Sequence, residues 1–68
     1  MSIELNRPYI ILTIRDHELA ARMVALGICP GTEFRMVRSH KYMSTYIIEV
    51  QGREFDLRRE ELDQIMFQ

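Results

Sequence analysis

The sequence predicts a mainly β domain: a small closed or half-closed barrel of five short strands, with one short α-helix inserted between the first two. Three observations predict it. Short stretches rich in β-branched and aromatic residues recur along the chain, most of them alternating apolar with polar and divided by tight-turn signals. A single stretch, 17–26, carries apolar residues at helical spacing instead. The segment Met23-Val24-Ala25-Leu26-Gly27-Ile28-Cys29-Pro30-Gly31 then turns helix into strand within about four residues, a usual length for such a connection. Closing the sheet removes exposed edges that otherwise invite aggregation.

The elements follow in order. Residues 1–8 form a polar lead-in ending at Asn6-Arg7-Pro8, with proline tolerable at the mouth of a strand. Tyr9 to Ile14 reads Tyr-Ile-Ile-Leu-Thr-Ile, a strand whose near-continuous apolarity predicts contacts on both faces. Asp16 is a good helix N-cap, and Glu18 lies in the first turn, where a negative charge favours the positive end of the dipole. Leu19, Met23 and Leu26 fall at i, i+4 and i+7 and define the buried stripe, widened by Ala20, with Arg15 and Arg22 toward water. A helix this short does not persist alone, so it must pack on the sheet.

Gly27 occupies the left-handed position just past the helix end. Ile28 beyond it is placed to touch Met23 across the helix stop. Pro30 and Gly31 suit the two central positions of a type II turn. The second strand, Thr32 to about Arg38, puts Phe34 and Met36 on one face, with Glu33 and Arg35 opposite. Ser39 to Ser44 reads as a polar loop. Thr45 to Gln51 places Tyr46, Ile48 and Val50 inward, with Ile47 and Glu49 opposite. Gln51-Gly52 makes a hairpin. Glu54 to Leu57 sends Phe55 and Leu57 inward, residues 59–64 hold one short helical turn, and Ile65 to Phe67 ends the chain as a strand.

The chain of 68 residues supports one domain and one small core, so most large apolar side chains should be buried. Its net charge of −1 argues against a general nucleic-acid binder, for which a basic excess is expected. One cysteine excludes an internal disulfide. No apolar run approaches the ~20 residues of a membrane span. Met1-Ser2-Ile3-Glu4-Leu5 lacks the basic and apolar regions of a signal peptide, so a cytoplasmic location is the expectation.

Leu26-Gly27-Ile28-Cys29-Pro30-Gly31-Thr32 resembles the Leu-Gly-x-x-Pro-Gly-x signature of FeoA-type domains. The alternating strands that follow are similar too, as is the close through Leu57-Arg58, Glu60-Glu61-Leu62 and Ile65. The resemblance spans roughly residues 9–67 and implies an SH3-like barrel. It also implies a small cytosolic accessory of bacterial ferrous iron uptake, working with the FeoB membrane GTPase-transporter. The same module occurs at the C-terminus of iron-dependent repressors. No DNA-binding domain precedes it in this sequence, and the expectation is therefore the free-standing accessory. Two features depart from the pattern: His40-Lys41-Tyr42-Met43-Ser44 replaces a loop that often carries Pro and Gly, and the lead-in lacks a glycine turn.

Candidate sites are few. Cys29, His17 and His40 are the soft or borderline metal ligands, and none stands at a paired spacing, so no metal site is expected. A Cys29–His pair has no third orienting group and no phosphate loop beside it, so no catalytic residue and no cofactor are expected; Cys29 reads instead as a small apolar residue packed in a turn. Arg53, Arg58 and Arg59 alternate with Glu54, Glu60 and Glu61 as a solvated surface. Partner binding is carried by His40, Lys41, Tyr42 and Met43, because exposed Tyr and Met favour interfaces. Leu26, Gly27, Pro30 and Gly31 are structural. The sequence thus predicts an accessory acting by protein contact on the transporter, with self-association open and no membrane insertion. The alternative is a regulatory module that senses a metal or a peptide.

Overall fold

The computed structural model describes residues 3–68, apart from the Lys41 side chain; the first two positions of the lead-in lie outside the described residues. The elements are β1 (Tyr9–Ile14), α1 (His17–Ala25), β2 (Glu33–His40), a 3-10 turn (Lys41–Met43), β3 (Thr45–Val50), β4 (Arg53–Arg58), α2 (Arg59–Leu62) and β5 (Ile65–Phe67). The strands form one antiparallel sheet in the order β4-β3-β2-β1-β5. β4 and β5 are its two ends, and α2 spans the gap between them. Of the two expected barrels, the half-closed one forms.

The helix and its stop follow the local chemistry. The Asp16 carboxylate accepts the Leu19 N–H at 3.2 Å, which satisfies one of the donors a helix start leaves unpaired. At the other end Gly27 N–H donates to the Val24 carbonyl at 2.9 Å, and Ile28 N–H to the Met23 carbonyl at 2.8 Å. That pair of bonds, with Gly27 at φ +85°, is the Schellman stop. Thr32 N–H then donates to the Cys29 carbonyl at 3.0 Å, closing the turn over Pro30 and Gly31, the latter at φ +92°. Gly31 N–H and the Thr32 carbonyl both bond to Ile11, so the turn is tied to β1.

The core is built from Tyr9, Ile11 and Ile14 of β1, Leu19 and Met23 of α1, Ile28, and alternate residues of β2 to β5. Tyr9, Phe34 and Phe67 form an aromatic cluster, with centroids 5.0 to 5.8 Å apart. Tyr9 keeps its hydroxyl satisfied at the edge by accepting the Glu4 N–H at 2.9 Å.

Several expectations are corrected. β1 does not bury both faces: Ile10 and Leu12 are 36% and 47% exposed, because no layer among the described residues covers their face, and the register shift between Ile11 and Thr13 returns Ile14 to the core. Leu26 is also outside the core, at 46% exposed. The helix ends at Ala25, so Leu26, its cap, leaves the helical stripe and Ile28 takes the buried place. Ile47 is buried although it faces away from the core cluster, flanked in register by Arg38 and Asp56. Long charged stems cover apolar surface in this way.

The supposed loop from Ser39 is strand for two more residues, with Ser39 paired to Tyr46 and His40 to Thr45. The two missing glycines are replaced. Asn6 sits at φ +63° and Ser44 at φ +49°, small polar residues in conformations that β-branched ones avoid. Asn6 N–H donates to the Met36 carbonyl at 2.8 Å, and Arg35 donates to the Asn6 carbonyl at 3.0 Å. The lead-in is therefore anchored on β2, with Leu5 bridging Met36.

Candidate protein-contact surfaces

The β2–β3 connection carries the first surface. The 3-10 turn and the left-handed Ser44 reverse the chain at the tip of the hairpin. The Thr45 hydroxyl donates to the Met43 carbonyl at 3.0 Å, and Arg59 N–H donates to the Ser44 carbonyl at 3.0 Å, so the tip rests on a fixed base. Tyr42 is fully solvent-exposed, at 105%, and Met43 is 72% exposed. His40 is exposed as well, at the end of β2. Three of the four expected contact residues thus share one tip; the Lys41 side chain lies outside the described part. Tyr46 instead packs against the core.

The second surface was not anticipated from the sequence. A groove runs between α1 and the outer edge of β4. Its apolar part, of about 150 Å³, is walled by Leu19, Met23, Leu26, Ile28, Phe55 and Leu57. A wider polar part continues past Asp56, Arg58 and Glu60. The exposed Leu26 is one wall of it, and no period in the sequence distinguishes a groove wall from a core position.

α1 and α2 are clasped at one end of this groove. Arg22 pairs with Glu61 at 2.5 Å, and Arg15 donates to the Asp63 carbonyl at 2.6 Å, so both arginines are exposed yet engaged. The Arg58 N–H donates to the Glu61 carboxylate at 2.8 Å. That bond, first, and then the Arg22 guanidinium hold the Glu61 carboxyl below its ordinary value of 4.5; its partial burial acts the other way and is outweighed. A depressed folded-state pKa gives stability that is complete above the unfolded value of 4.5 and is lost as pH falls through the folded one. Urea melts between about pH 3 and 6 should show a decline below 4.5 that Glu61→Gln reduces. An equal decline in the variant would assign the loss to other carboxylates.

Nothing in the described residues gathers three or more His, Cys, Asp or Glu side chains into a group able to hold a metal ion. Cys29 is exposed, contrary to the packed position expected of it. As the first residue of the type II turn it points outward, its Sγ 3.7 Å from the Thr32 hydroxyl, while its N–H donates to the same oxygen at 3.1 Å. No helix among the described residues is long and apolar enough to cross a membrane.

Five antiparallel strands in a half-closed barrel, with a helix after the first, define an SH3-like small barrel, and solved structures bear this out. The chain matches ScaR with bound Cd2+ at 22% identity and TM-score 0.87, covering 98% of this chain and 32% of that one. It matches the iron(II) transport protein A of Clostridium thermocellum at 24% identity and TM-score 0.86, covering 97% and 41%. A third match is the FeoA of Stenotrophomonas maltophilia complexed with zinc, an SH3 domain protein, at 22% identity and TM-score 0.81, covering 98% and 85%. The chain therefore spans well under half the length of the first two. At these identities the likeness establishes the fold. Among curated proteins none matches the sequence.

The FeoA domain model matches residues 2–68, and the chain belongs to the FeoA family.

Proposed function

We propose that this chain is an accessory of ferrous iron uptake in bacteria, acting at the cytosolic face of the membrane by protein–protein contact with the FeoB GTPase-transporter. The match of the FeoA model to nearly the whole chain carries the reading. It is supported by the likeness to an iron(II) transport protein A and to a FeoA described as possibly a ferrous iron transport activating factor. The surface supports it as well. A tip that exposes Tyr42 and Met43 on a fixed base offers large contact area at low ordering cost. Tyr42, Met43, His40 and Lys41 are the contact residues of this reading.

The test is an NMR titration of labelled protein with the soluble GTPase domain of the transporter and, separately, with anaerobic Fe(II). Shifts confined to one surface with the GTPase domain support the accessory. Saturable shifts with iron alone overturn it in favour of a metal sensor. Replacing Tyr42 and Met43 together by alanine should weaken the contact by about thirtyfold, the scale of one hot spot. It should leave the urea midpoint within about 0.5 kcal/mol of the parent, as for surface changes generally. Unchanged affinity would move the contact off the tip.

A further inference from the structure

The outer edge of β4 is an unfilled strand site, and the groove beside it selects what can fill it. β4 is the terminal strand of the sheet order, so one side of its backbone has no ladder partner among the described residues. Register fixes which groups are left over. Val50 and Arg53 are the facing pair that closes the two-residue hairpin, Gln51 and Gly52 both having positive φ. In such a hairpin that pair exchanges its backbone bonds, and alternate pairs beyond it do the same. Arg53, Phe55 and Leu57 therefore bond inward to β3, and the N–H and C=O groups of Glu54 and Asp56 point off the sheet. Arg58 agrees with this parity: its N–H also points outward, where the Glu61 carboxylate accepts it. The open segment is thus bounded at one end by the α2 cap and at the other by the hairpin.

Beside this open segment lies the apolar groove. Phe55 and Leu57 form its β4 wall, and Leu26 and Met23 its helix wall. A cavity of about 150 Å³ accepts one apolar group of benzene or branched aliphatic size. Asp56 borders both the apolar and the wider polar part, Glu60 borders the polar part, and neither has an ion-pair partner among the described residues. Glu61 and Arg22 neutralise each other at the same rim.

We propose that the β4 edge binds an extended peptide segment of a partner protein by strand addition, with one aliphatic side chain seated between Leu26 and Phe55 and a lysine or arginine of the segment beside Asp56. Backbone bonds to Glu54 and Asp56 supply affinity that any extended segment can share; the cavity and the carboxylates supply the choice of apolar and basic residues. This rests on the reading of the chain as a protein-contact accessory and adds a second surface to it, on a different face from the Tyr42–Met43 tip.

The test uses the full chain and capped peptides built on Thr-Lys-Leu-Lys-Thr, whose lysines fall on the Asp56 face when the central side chain faces the groove, with the central residue varied through Val, Ile, Leu and Ala. A second series N-methylates the backbone, and a third replaces the lysines by glutamates. Amide shifts should centre on Glu54, Phe55, Asp56 and Leu26. Hydrogen exchange at Glu54 and Asp56 should slow by about tenfold at saturation, because their N–H groups become ladder donors. N-methylated and acidic peptides should bind about tenfold more weakly or not at all. Leu26→Glu, at an exposed position outside the core, should abolish peptide binding without changing the fold, while the Tyr42 and Met43 alanine variant should bind peptide normally. No shifts from any peptide at millimolar concentration, binding without slowed exchange at Glu54 and Asp56, or shifts confined to the tip would each overturn the proposal. The GTPase-domain titration is scored separately: peptide binding without it leaves strand addition standing and the transporter reading fallen, and the reverse result does the opposite.

Discussion

Phe34→Ala should remove about a third or more of the protein's folding stability. Phe34 is 1% exposed near the start of β2, paired in register with Tyr9 and edge-on to the Phe67 ring at 5.5 Å. Truncating a buried phenylalanine costs about 3–5 kcal/mol, part for the lost transfer and part for the cavity left behind. A domain of this length has a total stability of only about 3–10 kcal/mol. The site is poorly able to collapse. Tyr9 is held at its hydroxyl by the Glu4 N–H and flanked by the Arg7 guanidinium 5.3 Å from its ring, and Phe67 belongs to β5, which is pinned on β1. Phe34→Leu keeps most of the apolar volume and should cost less, about 1–2 kcal/mol. Urea midpoints of the two variants check this. Equal small losses for both would mean that the aromatic cluster is not the keystone of the core.

Legibility in the sequence divides along one physical line. What is local was legible. Asp16 caps α1, Gly27 and Ile28 close it, Pro30 and Gly31 turn it into β2, and Gln51-Gly52 reverses β3 into β4, because each rests on a conformational preference of one or two residues. The two-period strands were legible for the same reason, down to Phe34 and Met36 on one face. What depends on the neighbour across space was not. Ile10 and Leu12 read as buried but face no covering layer, while Ile47 reads as an outer residue and is covered. Leu26 shows the distinction most sharply. Its spacing from Leu19 and Met23 is helical and apolar, but the helix stops one residue early and swings it into the groove beside β4.

The same line explains the candidate sites. The Tyr42–Met43 tip was legible because a polar hairpin loop that contains large apolar residues has nowhere to bury them. The β4 groove was not, because an open strand edge is a property of sheet order, and sheet order is set by which strands the half-closed barrel leaves unpaired. Cys29 was misplaced inward for a related reason. Cysteine is commonly buried, but the first position of this turn aims its side chain out of the fold.

Gly27 separates backbone strain from side-chain crowding, and a substitution series there has a defined order. Gly27 sits at φ +85°, and a Cβ added to it would meet its nearest neighbour, the Arg53 guanidinium, at 3.7 Å, an ordinary contact. There is room for a side chain, so any loss of stability comes from φ alone. Asparagine tolerates the left-handed region and should cost little. Alanine should cost about 1–2 kcal/mol, the penalty for an L-residue there. Valine, branched at Cβ, should cost about 3 kcal/mol, at the upper end of stored backbone strain. The loss falls on a junction with several dependents. The Schellman bonds fix Ile28 in the core, and the Arg53 guanidinium donates to the Leu26 carbonyl at 2.8 Å, so the same cap sets the helix wall of the groove. The graded order Asn, Ala, Val in urea midpoints at constant m-value is the expected result. Equal costs for alanine and valine would show that the penalty falls on any Cβ at this φ and that branching adds nothing to it. No cost for either would mean that α1 does not end at this residue in solution.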